Sequence, residues 1–112
     1  MESVEILNLI NAERAKAGIA PLVFRPDIMQ ACLVRAEEAS KLWSHTRPNG
    51  KPYWTADEKI WGENLAKHCK TAQETVTAWM GSELHRKNIL NAGYKGACVG
   101  IQGNYISLEF TR

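Results

Sequence analysis

The sequence predicts an α+β fold in which helices pack on an antiparallel sheet, and three observations carry that prediction. Apolar residues recur at helical spacing near the N-terminus, at Val4, Ile6, Leu7 and Ile10. The tetrad Thr71-Ala72-Gln73-Glu74 is a capping box that marks the start of a later helix. Near the C-terminus Ala97, Val99 and Ile101 alternate with other residues, Gln102-Gly103-Asn104 can turn, and Ile106, Leu108 and Phe110 alternate again, which is the pattern of a hairpin. Helices covering such a hairpin give a layered α+β domain.

In chain order, Ser3 can cap a first helix running roughly from Val4 to Ala17, with Glu5 favourably placed in its first turn and Gly18 just past its end. Leu22-Val23-Phe24 is a short extended link, because Pro21 and Pro26 push their predecessors out of the helical region. A second helix starts near Asp27, where Ile28, Ala31, Cys32, Arg35, Ala36 and Ala39 form one stripe, and small residues in a stripe imply a close neighbour. From Trp43 to Ala66 no period persists, and Pro48, Asn49, Gly50, Pro52 and Gly62 interrupt it. A loop of that length in a small domain marks a site or a lid. It carries Trp43, Trp54 and Trp61, which serve equally to pin the loop to the core or to line a groove. The third helix passes through Val76, Trp79 and Met80 and ends near Gly81.

Length and composition bound the function. A chain of 112 residues with 45% hydrophobic residues fits one domain, residues 1–112, with one core. The 14 Lys and Arg are interspersed with 12 Asp and Glu, so no basic stripe suggests nucleic acid. Apolar runs are far too short to span a membrane. Met1-Glu2 leads straight into amphipathic sequence with no secretion signal, as it would also do at a mature domain boundary. Cys32, Cys69 and Cys98 are odd in number and include no CxxC. Cys32 and Cys98 read as small buried hydrophobes, and a Cys69–Cys98 bridge stays open.

Three polar segments stand apart from any core pattern: Ser44-His45-Thr46-Arg47-Pro48-Asn49-Gly50, Gly62-Glu63-Asn64, and Ser82-Glu83-Leu84-His85-Arg86-Lys87-Asn88-Ile89-Leu90. His45, Glu63 and His85 together offer two imidazoles and a carboxylate, a donor set suited to zinc or another divalent cation with water in an open position. The spacing alone does not join them, and solvated or structural roles fit the same residues. Ser44 beside His45 and Ser82 near His85 could be written as nucleophiles, but no GxSxG elbow supports this. His68 stands outside any comparable motif.

Four motifs taken in order, Leu9-Ile10-Asn11-Ala12-Glu13-Arg14, Ser44 to Gly50, Trp61-Gly62-Glu63-Asn64-Leu65-Ala66, and Ala78-Trp79-Met80-Gly81-Ser82 running into His85 to Leu90, resemble the CAP superfamily. That superfamily includes the cysteine-rich secretory proteins, insect-venom antigens and plant pathogenesis-related proteins, and the closest likeness is to its small bacterial SCP-like members. The resemblance implies a CAP-type α-β-α sandwich, with the antiparallel sheet between helices and a cleft that gathers two histidines and two glutamates. His45, Glu63 and His85 match three of these positions; the second glutamate falls at Ser82, with Glu83 one position later as the open candidate. The loop between Asn49 and Gly62 is shorter than usual for the group, which implies a more open rim. Secretion is implied too, with a signal removed upstream.

The reading that follows is an extracellular binding module whose His/Glu cleft takes a divalent cation, zinc first. The alternatives are a metal-assisted hydrolase of peptides or cell-wall material with Glu63 as base, and a protein that binds a sterol or fatty acid. The expected partner is a small-molecule, lipid or cell-surface ligand.

Overall fold

The C-terminal hairpin forms the middle of the sheet. The computed structural model describes Met1–Arg112 and contains, in chain order, α1 (Ser3–Lys16), β1 (Val23–Phe24), α2 (Met29–Lys41), β2 (Gly62–Lys67), α3 (Ala72–Met80), α4 (Glu83–Ile89), β3 (Gly96–Gln102) and β4 (Tyr105–Thr111). Single 3-10 turns occupy Pro26–Ile28 and Tyr53–Ala56. β3 and β4 pair antiparallel from Gly96↔Thr111 to Gln102↔Tyr105. Their two-residue connection starts with Gly103 at φ 57°, the first central position of a type II′ hairpin turn, where glycine avoids the penalty of a side chain.

The strand order is β1-β3-β4-β2. β2 runs antiparallel to β4, but Val23 and Phe24 pair parallel with Gly96 and Ala97, so the sheet is mixed and not wholly antiparallel. The prolines that hold Leu22 to Phe24 extended also leave the backbone free to pair, and Val23 and Arg25 donate their N–H groups to the Lys95 and Ala97 carbonyls. Two more elements were hidden in stretches without a period. The end of the long loop is strand β2, and the segment around His85 is helix α4. α1 begins one residue before Val4, capped by Glu2, while the Ser3 hydroxyl instead donates to the Val99 carbonyl and ties α1 to the sheet.

The two faces of the sheet differ in chemistry. Ala97, Val99, Ile106, Leu108 and Phe110 point to one face, where Ile6 and Ile10 of α1, Val76 and Trp79 of α3, and Ile89 of α4 close an apolar core. Trp79 buries its ring there and donates its indole N–H to the Leu65 carbonyl at 3.0 Å. The alternate residues Cys98, Gly100, Ser107, Glu109 and Glu63 face α2, and its stripe of Cys32, Arg35, Ala36 and Ala39 covers them. Alternation therefore marked the apolar face correctly, while the opposite face is buried too and carries charge.

Arg14 joins the apolar side to the chain beyond α4. Its guanidinium donates to the carbonyls of Ala20, Ile89, Asn91 and Tyr94 at 2.8–3.1 Å, and the side chain is buried. Replacing it by methionine keeps the stem and strips the donors, leaving buried carbonyls unpaired. Arg14→Met should cost about 2–4 kcal/mol in urea unfolding, and a loss below about 0.5 kcal/mol would mean that water replaces the guanidinium.

Under α2, Glu109 sits directly opposite Glu63 on the neighbouring strand and Cys98 on the other. Both of its carboxyl oxygens are buried without a hydrogen bond of good geometry, and burial, then the nearby Glu63 charge, push its ionisation well above the usual carboxylate range. A raised folded-state value adds stability that is complete below the unfolded value near 4.3 and is lost as pH rises, at about 1.4 kcal/mol per pH unit within that window. Glu109→Gln should therefore exceed the wild type by roughly 1–3 kcal/mol at pH 8 and converge with it near pH 4. Parallel stability curves from pH 4 to 9 would show instead that Glu109 ionises in the folded protein.

Candidate functional site

β2 is an edge strand, and the three polar segments meet along it. Glu63 points to the α2 side, with its carboxylate wholly buried. Arg35 reaches it from α2 with a bidentate grip, Nε to Oε2 at 2.7 Å and Nη2 to Oε1 at 2.9 Å. The same Nη2 donates to the Ser44 carbonyl at 2.9 Å, fixing the residue before His45. Arg47, two residues after His45, holds Glu38 of α2 through Nε and Nη2, and Arg35 also reaches Glu38 at 3.0 Å. The loop is thus clamped on both sides of the histidine. A bridge between Thr46 and Pro52 closes it, and Ser44 Oγ accepts from the Thr46 amide.

His45 is held by Glu63. Its Nδ1 lies 2.8 Å from Oε1, with the imidazole side chain 54% exposed. Burial works to raise the Glu63 pKa, but the hydrogen bonds from Arg35 and His45 outweigh it and hold the carboxyl below its usual range. An ionised carboxylate only accepts, so Nδ1 of His45 carries the proton and, in the neutral ring, the outward Nε2 keeps its lone pair. The Tyr53 ring packs edge-on against the imidazole, with centroids 5.7 Å apart.

Asn64 points to the opposite face and positions α4. Its amide donates to the His85 carbonyl at 3.0 Å, while Asn88 donates to Asn64 Oδ1 at 2.9 Å and to the Glu63 carbonyl at 3.3 Å. His85 Nδ1 lies 2.8 Å from Ser82 Oγ. Burial, followed by repulsion from His45, lowers the His85 pKa, so the two imidazoles share one electrostatic neighbourhood. Ser82 therefore enters the site as the partner of His85. Glu83 turns away: its side chain is 70% exposed and pairs with Lys87 at 3.4 Å.

The structure thus brings His45, Glu63, His85 and Ser82 together and leaves Glu83 on the outer face of α4. No three His, Cys, Asp or Glu side chains are arranged to hold one metal ion. Both Glu63 oxygens are engaged and Nδ1 of each histidine has a partner, so the ring nitrogens left without one are the two Nε2. Beside them Tyr53, Trp54, Glu58, Ile60 and Trp61 line an open cavity of about 390 Å³. Trp43, Trp54 and Trp61 are all half-exposed, and cations cover two of them, Lys67 over Trp43 and Arg112 over Trp61. They line the surface more than they anchor the loop.

Arg35 and Glu109 are the site residues that the sequence patterns hid. Arg35 stood in a stripe of small residues, and a guanidinium among alanines was itself the available signal, since such a stripe lies against a neighbour and a buried guanidinium requires a partner. Glu109 occupies the alternate position of β4, where a carboxylate gives no local sign that the second face of the strand is buried as well.

Comparison with known proteins identifies the family of the chain. A profile of the Cysteine-rich secretory protein family, CAP, matches residues 7–106. The uncharacterized protein YkwD of Bacillus subtilis is 36% identical over 104 residues, covering 86% of this chain and 40% of its own length. An extracellular protein containing an SCP domain from Bacillus anthracis superposes with a TM-score of 0.91 at 22% identity, covering 98% of this chain and 40% of that one. A cysteine-rich secretory protein from Staphylococcus aureus gives 0.81 at 20%, covering 96% and 37%. The chain spans about 40% of the length of these relatives. No helix is long and apolar enough to cross a membrane. With the family profile matched over most of its length and the α-β-α layers in place, the chain belongs to the CAP family.

Proposed function

We propose that this chain is an extracellular binding module whose cleft takes a divalent cation, zinc first, between Nε2 of His45 and Nε2 of His85. The observation that carries the proposal is the 2.8 Å contact from His45 Nδ1 to a carboxylate already locked by Arg35. A carboxylate behind an imidazole is the usual support of a metal-binding histidine, setting its tautomer and orientation. Ser82 does the same for His85 in the tautomer where the hydroxyl accepts from Nδ1. Two imidazoles fit a borderline cation with water completing its shell. The three-ligand set with Glu63 in the coordination sphere does not fit, because Arg35 holds that carboxylate bidentately.

The same bonds weigh against hydrolysis with Glu63 as base. Arg35 lowers its proton affinity, and the carboxylate has no face turned to solvent.

Titration calorimetry with zinc at pH 7.5 should give a single modest site. His45→Ala and His85→Ala should each abolish the heat, and Glu63→Gln should weaken binding about 10–100-fold. Affinity should fall on acidification, as protons compete for the imidazoles. Absence of heat in the wild type, or unchanged heat in both alanine variants, would refute the cation site.

A second reading rests on a separate feature. An apolar cavity of about 420 Å³ lies between α1 and β1, with Val4, Leu7, Leu22, Phe24, Met29 and Val99 on its walls. It supports an apolar ligand such as a fatty acid. Retention of a labelled fatty acid by His45→Ala, and its loss in Val4→Glu, would mark this second site as independent of the cleft.

A further inference from the structure

Two of the three cysteines meet under α2. The helix descends to backbone contact with the sheet at Cys32, whose carbonyl accepts from Ser107 Oγ at 2.6 Å, and a side chain at Gly100 would overlap that same carbonyl. Cys98 lies two residues before Gly100, on the same face of β3. It packs with Cys32 and Ile28 in a cluster whose three residues are all fully buried. Cys69 packs instead against the apolar core on the far face of the sheet, so a Cys69–Cys98 bridge has no path and the partner of Cys98 is Cys32.

We propose that Cys32 and Cys98, free thiols in this structure, form a redox-active pair that closes to a disulfide on exposure to a peroxide-class oxidant. Entry runs past Met29. Its sulfur lies 3.6 Å from Cys98 Sγ, while its side chain also lines the apolar cavity between α1 and β1. Rotation of an unbranched methionine opens that wall to a molecule as small as hydrogen peroxide.

The pair is polarised for the reaction. Packed contact with Cys32 holds Cys98 below the usual thiol range against the pull of burial, and the same contact with burial pushes Cys32 up. Cys98 thiolate attacks peroxide; its S–O bond forms, the O–O bond breaks, and hydroxide leaves to take the proton that Cys98 released. Cys32 sulfur then attacks the sulfenic sulfur, the S–S bond forms, and the S–O bond breaks as water leaves with the Cys32 proton. Two thiols and one peroxide become one disulfide and two waters.

The crosslink would act on the cleft through α2. Arg35 follows Cys32 by three residues on the same buried stripe, so a staple from Cys32 to β3 fixes the helix whose guanidinium holds Glu63 and Ser44.

The test uses the intact folded chain, treated with hydrogen peroxide, quenched with catalase, denatured and alkylated. Peptide mapping without reductant should recover a Cys32–Cys98 crosslinked pair and alkylated Cys69. The product should lose two hydrogens, melt higher than the reduced protein and revert with dithiothreitol. In Cys32→Ser, Cys98 should be trapped by dimedone as the stalled sulfenic acid. Recovery of both thiols alkylated after Met29 has become sulfoxide would overturn the proposal, as would crosslinks found only through Cys69.

Discussion

The buried pairing of Arg35 with Glu63 is the constraint on which the rest of the cleft depends. Taking a guanidinium and a carboxylate out of water is repaid only when geometry is good and the remaining donors and lone pairs are satisfied. Both conditions are met. Two parallel N–H bonds join the pair, Nη1 reaches Glu38, Nη2 adds the Ser44 carbonyl, and His45 completes Oε1. Each added bond also serves position, since the five residues joined, Arg35, Glu38, Ser44, His45 and Glu63, come from a helix, an irregular loop and an edge strand. A loop of this length would otherwise sample many conformations; here the residues on either side of His45 are tied to α2, and His45 itself is tied to β2. The price in desolvation is therefore what preorganises the exposed imidazole.

The sheet divides the molecule into two chemistries. On the side of α1, α3 and α4 an apolar core supplies the non-directional driving force of burial. On the side of α2 a row runs across the strands from Cys98 through Glu109 to Glu63, topped by Cys32 and Arg35. Such a row adds less to stability than an apolar layer of the same volume would. What it adds is direction, because hydrogen bonds and ion pairs fix α2 in register over the sheet. β2, as the edge strand, is shared by both sides. Glu63 faces the polar layer and orients His45, while Asn64 faces the other way and holds α4 with His85. Adjacent residues of one strand thus set two histidines from two layers at a single edge.

The elements legible in the sequence are those with a local cause. Thr71 caps α3 by accepting from the Glu74 amide, Gly103 permits the hairpin turn, α1 buries Ile6, Leu7 and Ile10 of its stripe while Val4 stays exposed, and α2 buries the stripe that its spacing marks. The hidden elements lack one. β2 buries residues on both faces, so Gly62 to Ala66 shows no alternation. β1 has two residues, and α4 has seven, of which only Ile89 is fully buried, too few for a period to appear. For the cleft, His45, Glu63 and His85 could be placed together through resemblance and not through spacing, because their contact is made by tertiary structure. Glu63 was legible as a site residue, while its role as a support depended on Arg35, whose guanidinium was masked by the alanines around it.

Charge in the polar layer also decides how the cleft presents itself. Two carboxylates stand opposite each other across β2 and β4, and one guanidinium lies within their reach. Like charges this close in a dry layer do not both ionise, and the bidentate bond assigns the charge to Glu63. Glu109 keeps its proton, so Arg35 and Glu63 cancel and the layer carries no net charge. A neutral layer can stay buried without drawing in water. Glu63 then acts on His45 as an acceptor of fixed direction: it selects the ring nitrogen that carries the proton and turns the other outward. An ionised Glu109 would break this balance, competing for Arg35 and loosening the grip that orients the histidine. The neutrality of a residue remote from solvent is in this way a condition for the geometry of the exposed imidazole.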